Sequence, residues 1–176
     1  MKQNKNSEAF LYQGQGRTSN SMLSKKDRSS LAGEFYTLAE LYKRGYNAFI
    51  TLGKAKQIDI IVRSGNKSLA VEVKCRISNA QFLPKPVSES DINKIWCFVD
   101  LYSKKFPENP PKFYLISAND LRKINEERRK KLEERKRETN REYSEFDLQD
   151  VKISDLKLFH DNWGLIKAKL DDVSAT

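Results

Sequence analysis

Two acidic residues and a lysine interrupt the apolar stretches of this sequence. Asp59 follows Ile58 within a run of isoleucines and a valine, and Glu72 and Lys74 flank Val73 in a second apolar run. A charge in such a stretch is unexpected unless it faces a cleft or has a partner. Taken singly, each residue is also typical of the solvent face of an antiparallel strand. Taken together, the two carboxylates could hold Mg²⁺.

Hydrolysis of a phosphodiester is the chemistry that such a group would suit. The reaction needs charge neutralised on the scissile phosphate, an activated water and a stabilised leaving oxygen, which carboxylate-held Mg²⁺ can provide. Mg²⁺ takes one or two protein carboxylates and keeps several waters, so Asp59 and Glu72 would suffice. His160 is the single histidine, and Cys75 and Cys97 lack metal-ligand spacing. A zinc site or a Ser-His-Asp triad is therefore not expected.

A helix is predicted upstream of these residues. Ser29 or Ser30 can cap its beginning, and Lys43 to Gly45 supply a stop. Apolar residues recur between them at helical spacing: Leu31, Phe35, Leu38, Ala39, Leu41 and Tyr42. The helix also carries an acidic residue near its beginning, Glu34.

Three strands are predicted after this helix, at residues 46–52, 58–63 and 69–75. Gly65-Asn66 indicates a tight hairpin between the second strand and the third. The strand period of two then places Glu72 and Lys74 side by side on one face of the third strand.

The later half of the sequence is less regular. Residues 88–102 fit a helix or a strand; we favour a strand that forms an antiparallel hairpin with the one predicted at 112–117. The charged segment at about 119–142 predicts a projecting helix, since glutamates precede lysines or arginines by four residues. A solvated face explains these charges, with phosphate contact as the alternative. Residues 154–170 predict a closing amphipathic helix.

The composition favours one domain with a polyanionic partner. The 176 residues include 33 Lys and Arg against 24 Asp and Glu, which gives a net charge of +9. Solubility explains such a charge equally well unless a site accompanies it. Residues 1–28 predict a flexible basic tail, and 29–176 a single domain. With no apolar signal or transmembrane run and two cysteines, we expect a cytoplasmic protein.

The order and spacing of four residues resemble the PD-(D/E)XK nuclease superfamily. Ile58-Asp59 and Glu72-Val73-Lys74 stand thirteen residues apart, counted from Asp59 to Glu72. Glu34, 25 residues before Asp59, lies in the opening of the first predicted helix, as does the helical glutamate of the archaeal Holliday junction resolvase branch. Ile58 replaces the proline of the motif, which leaves the acidic ligand in place. The match covers about a quarter of the chain, and the later sequence resembles uncharacterised prokaryotic nuclease-like proteins of the superfamily.

This resemblance implies an α/β fold with a restriction-endonuclease-like core, in which helices flank a central mixed sheet, and a helical C-terminal half. It implies that Asp59, Glu72 and the Val73 backbone carbonyl bind Mg²⁺, for which Mn²⁺ would substitute. Lys74 would orient or activate the attacking water. Glu34 would bind a metal ion or its water shell.

Four residues near this group are candidate DNA contacts: Lys54, Lys56, Gln57 and Arg76. Ordinary surface polarity, or a polar residue at the start of a strand, explains them equally well.

The activity expected from the resemblance is that of a DNA endonuclease that leaves a 5′-phosphate, acting on branched, Holliday junction-like DNA. A restriction or repair nuclease is the alternative within catalysis, and a non-catalytic DNA-binding or assembly protein is the alternative outside it. We expect a homodimer, since two symmetric copies cut two strands most simply. No membrane partner and no small organic cofactor are expected.

Overall fold

A computed structural model describes residues 23–51, 58–77, 81–82, 84, 86–101, 109–140, 142–144 and 150–172. Residues 1–22 of the predicted tail lie outside these ranges, as do Lys54, Lys56 and Gln57. Among the helices that the structure describes, none combines the length and the apolar character that crossing a membrane requires.

A five-stranded mixed sheet forms the centre of the fold, with its strands in sequence order. The strands are β1 (Asn47–Ile50), β2 (Ile60–Ser64), β3 (Lys67–Arg76), β4 (Ile95–Asp100) and β5 (Lys112–Ser117). Neighbouring strands are antiparallel except β3 and β4, which are parallel. The mixed sheet and its flanking helices agree with the expected restriction-endonuclease-like core. The strand within residues 88–102 and its antiparallel hairpin with β5 are confirmed.

The first helix, α1, spans Lys25–Lys43 and begins earlier than the sequence indicated. The predicted cap at Ser29 or Ser30 is therefore wrong. Ser24 caps the helix instead, because its hydroxyl accepts a hydrogen bond from the Asp27 amide at 3.1 Å. Asp27 also places a negative charge in the first turn, where the helix dipole favours it.

The two faces of the sheet contribute to separate hydrophobic cores. We call one the α1 face, on which Val71 of β3 packs with Leu41 of α1 and Ile166 of a C-terminal helix. We call the other the α2 face, on which Phe98 of β4 packs with Leu121 of the charged helix. The sheet therefore lies between two helical layers.

The charged helix, α2, spans Ala118–Thr139, close to the predicted segment. Ser117 caps its beginning by accepting a hydrogen bond from the Asp120 amide at 3.2 Å. Asn140 ends it in the left-handed conformation, with φ of 51°. Its buried residues, Ala118 and Leu121, lie in the first turn. Farther along the helix, Ile124 packs against the same core, and Arg128 donates to the Asp150 carboxylate at 2.6 Å.

The prediction of one closing helix at 154–170 is wrong. The chain forms α3 (Ile153–Leu156), a 3₁₀ turn (Lys157–Phe159) and α4 (Gly164–Asp172). Asp161 breaks the helix with φ of 48°, and its amide donates to the Phe113 carbonyl at 2.8 Å. His160 forms a bridge with Tyr114. Pairing with the edge of β5 therefore replaces the helical hydrogen bonds at this point.

Candidate active site

Glu72 and Lys74 lie side by side on the α2 face of β3. Their register partners on β4 are Trp96 and Phe98, which are buried on that face. Lys74 Nζ donates to Glu72 Oε1 at 2.6 Å, a charge-assisted hydrogen bond. The two side chains remain 26% and 21% exposed. The predicted alternation is therefore confirmed, and the pair is open to solvent.

Asp59 lies directly before β2, whereas the sequence indicated a position within that strand. It is 7% exposed, and its Oδ2 accepts a hydrogen bond from the Val73 amide at 2.7 Å. Its own carbonyl accepts a hydrogen bond from the Thr51 amide at 2.9 Å. The carboxylate is thereby held against β3 at the residue between Glu72 and Lys74.

The donor atoms gathered at this point are hard oxygens, which suit Mg²⁺ or Mn²⁺. Asp59 and Glu72 offer carboxylates. The Val73 carbonyl points to the same edge of β3 as the amide that Asp59 binds, because both groups of a strand residue face one neighbour. Across the described ranges, no three His, Cys, Asp or Glu side chains form a group that could hold a metal ion. Two carboxylates and a carbonyl nevertheless fit Mg²⁺, which retains several waters.

Glu34 is buried on α1, next to a point where that helix lies very near β3. The preceding residue, Gly33, lies so near Cys75 that an added Cβ would be 2.4 Å from the Cys75 Cβ. Glu34 itself is 4% exposed. Its helix packs on the face opposite Glu72, and the structure does not gather Glu34 with Asp59 and Glu72 into one acidic group. A role for Glu34 in metal binding therefore stays a prediction.

Cys75 adjoins the site in sequence but lies on the α1 face. Burial, and then the charge of Asp100, raise the pKa of the Cys75 thiol to about 12. The thiol is therefore protonated at neutral pH in the metal-free protein, and it lies on the face opposite Glu72 and Lys74.

Arg76, a predicted DNA contact, forms an ion pair within the protein. It ends β3 in register with Asp100 at the end of β4. Its Nε and Nη2 donate to the two oxygens of that carboxylate at 2.8 and 3.0 Å, and the Phe82 ring lies 5.4 Å from the guanidinium carbon. The paired side chains are 13% and 10% exposed. Arg76 thus links β3 to β4, and its role as a DNA contact stays a prediction.

Asp100 is the residue at this site that sequence reasoning missed. Its signal is an acid that ends the apolar run 95–99, just as Arg76 ends β3. It predicts the pairing with Arg76 only when the register of the parallel strands β3 and β4 is known.

Methionine in place of Arg76 is expected to lower the free energy of unfolding by about 2–3 kcal/mol, because the mostly buried Asp100 carboxylate loses both guanidinium donors. Urea denaturation followed by tryptophan fluorescence measures the loss. The double variant Arg76→Met/Asp100→Leu removes both charges and should regain most of the stability. A double variant as unstable as the single one would contradict this account.

Two solved nuclease structures resemble this chain at low similarity. The bacterial homing endonuclease I-Ssp6803I aligns with a TM-score of 0.39 and 11% identity, over 55% of this chain and 71% of that chain. Hjc, a Holliday junction resolvase from the archaeal hyperthermophile Archaeoglobus fulgidus, aligns with a TM-score of 0.33 and 21% identity, over 51% and 78%. No protein-family model and no curated protein matches the sequence. A likeness at this level implies no shared chemistry, and the candidate site is described from its own residues.

Proposed function

We propose that this protein is a Mg²⁺-dependent endonuclease that hydrolyses phosphodiester bonds in DNA. One observation carries the proposal. The Asp59 carboxylate binds the Val73 amide at 2.7 Å, between Glu72 and Lys74, which pair at 2.6 Å. The open end of the β2–β3 hairpin therefore carries two carboxylates and an ammonium group. The net charge of +9 supports a polyanionic substrate.

Asp59, Glu72 and the Val73 carbonyl would hold the metal ion. Mg²⁺, when bound, supplies positive charge at the scissile phosphate and at the leaving oxygen. The hydrogen bond from the Val73 amide fixes the Asp59 carboxylate before substrate arrives, so little reorganisation is needed during the reaction. Glu72 holds the Lys74 ammonium in place, from where it can orient a water molecule or a phosphate oxygen.

Branched, junction-like DNA is the substrate that we propose within this class, cut by a cytoplasmic homodimer. Two copies related by a twofold axis would present one site to each of two strands. The spacing of Glu34, Asp59, Glu72 and Lys74 supports this choice, because it resembles that of the resolvase branch.

Cleavage that depends on a divalent metal tests the proposal. With Mg²⁺, the purified protein should cut at least one of four substrates offered in parallel: linear duplex, single strands, flaps and four-way junctions. EDTA should abolish the cleavage and Mn²⁺ should restore it, because the oxygen donors accept either ion.

The same panel separates the alternatives. Preference for the four-way junction would support a resolvase, and preference for linear duplex would favour a restriction or repair nuclease. DNA binding without cleavage of any substrate, in Mg²⁺ or Mn²⁺, would contradict the proposal and identify a non-catalytic DNA-binding protein.

A further inference from the structure

On the α2 face, the described helices cover β4 and β5 and leave β1 to β3 without a helix above them. Over β4 and β5, helices α2 and α3 bury residues such as Trp96 and Phe98. Over β1 to β3, the same face carries Phe49, Ile61 and Ala70, which pair in register across the three strands. Phe49 is 53% exposed, and the other two are partly buried. We call these three residues the open row.

The open row lies directly beside the candidate active site. Ala70 precedes Glu72 by two residues on the same face of β3, and Ile61 follows Asp59 by two residues at the start of β2. Side chains two residues apart on a strand are separated by about 7 Å. A base next to a phosphate bound at the site is therefore within reach of the row.

The charges around the open row suit a nucleic acid. Arg63, exposed on the adjacent row, pairs in register with Asn47 and Ser68. Among the residues that β1, β2 and β3 present on this face, Glu72 of the candidate site is the single acid. An exposed aromatic ring on a sheet, flanked by cationic and polar side chains, is typical of a surface on which unpaired bases stack.

A second copy of the chain is a less suitable partner for the open row than an unpaired base. A standard protein interface takes about 20–30 residues from each side, many more than the three side chains of the open row. An unpaired base needs only one ring to stack on and one cation for its phosphate.

We infer that Phe49 stacks on an unpaired base adjacent to the phosphate that the site cleaves. Ile61 and Ala70 form the floor of this contact, and Arg63 holds a neighbouring phosphate. The inference rests on the proposed function and narrows its branched substrate to forms with unpaired bases beside the scissile bond, such as flaps. Duplex DNA alone does not suffice, because its bases are stacked on one another and offer no free face.

Binding measured without metal tests this inference. A labelled single-stranded oligonucleotide in EDTA is not cut, so fluorescence anisotropy reports affinity alone. Phe49→Leu keeps an apolar side chain but removes the ring, and it should raise Kd roughly 5- to 100-fold, the effect of losing one stacked base. Phe49→Tyr keeps the ring and should bind within about twofold of wild type.

Phe35→Leu is the matched control. Phe35 is 54% exposed, close to the 53% of Phe49, but it lies on α1, which packs on the opposite face. It should bind single strands like wild type. An abasic oligonucleotide of the same length should bind wild type and Phe49→Leu alike, because it offers phosphates without bases.

Several results would overturn the inference. These are an unchanged Kd for Phe49→Leu, an equal loss for Phe35→Leu, or an equal loss of affinity for duplex DNA. A fall in molecular mass by light scattering in Phe49→Leu would assign the open row to a second copy of the chain and would also overturn it. Failure of the wild-type protein to cut DNA would refute the nuclease proposal alone, because the binding comparison involves no cleavage.

Discussion

Asparagine in place of Asp59 should lower the rate of DNA cleavage by about 10³-fold or more, because a metal at the site is worth several kcal/mol in the transition state. The amide oxygen of asparagine can still accept the hydrogen bond from the Val73 amide, which is 2.7 Å long in the wild-type protein. The hairpin should therefore keep its shape while the negative charge is lost. Single-turnover cleavage at saturating Mg²⁺ measures the rate, and circular dichroism checks the fold.

The affinity for Mg²⁺ distinguishes the expected role of Asp59 from that of Lys74. Asp59→Asn should also weaken Mg²⁺ binding, as measured by calorimetry. Lys74→Met should slow cleavage without weakening Mg²⁺ binding. Asp91→Asn is the matched control, because Asp91 is an ion-paired acid in a 3₁₀ turn outside the site. Its cleavage rate should be that of wild type. Equal rates for Asp59→Asn and wild type would point to a contaminating nuclease and would remove Asp59 from the site.

Alanine in place of Gly33 should lower the free energy of unfolding by about 3 kcal/mol, the upper range for overpacking a core. Helix propensity alone predicts the opposite, because alanine in a helix is more favourable than glycine by about 1 kcal/mol. A loss of stability would therefore come from packing. The added Cβ would lie 2.4 Å from the Cβ of Cys75 and 2.9 Å from its Sγ. The Cys75 Cβ cannot rotate away, so α1 would have to move off β3. Urea denaturation measures the loss.

Two further variants make the Gly33 result interpretable. Gly164→Ala, in α4, adds a Cβ that no atom beyond its chain neighbours and the backbone of its own helix approaches within 4 Å, and it should be neutral or stabilising. Cys75→Gly removes the opposing Cβ and should restore part of the stability of Gly33→Ala. If Gly33→Ala proves as stable as Gly164→Ala, α1 does not pack against β3 as closely as described.

Local sequence patterns were sufficient to predict the hairpin that carries the site. The Gly65-Asn66 turn and the alternation around Val73 specify which residues of β3 are buried and place Glu72 and Lys74 on the other face. Both signals act over a few residues, through backbone conformation and burial. The bounds of β5 at 112–117 were predictable for the same reason.

Long-range packing was not accessible from these patterns. The pairing of Arg76 with Asp100 depends on the register of two parallel strands far apart in sequence. The placement of Glu34 depends on which face of the sheet α1 covers. Asp161 breaks the closing helix through a contact with β5, which a helical period cannot reveal. The early start of α1 is different, since a serine three residues before an acid, Ser24 and Asp27, is a local cap signal.

The donor that holds Asp59 in place is a main-chain amide, and this has a consequence for how the site tolerates mutation. Every amino acid except proline supplies an amide at position 73. Substitutions there can change the volume of the core, since Val73 is buried, without removing the hydrogen bond. Substitution of the residue that the Asp59 carboxylate contacts should therefore leave the carboxylate in the same position. Related sequences can accordingly differ at position 73 and keep the same site geometry.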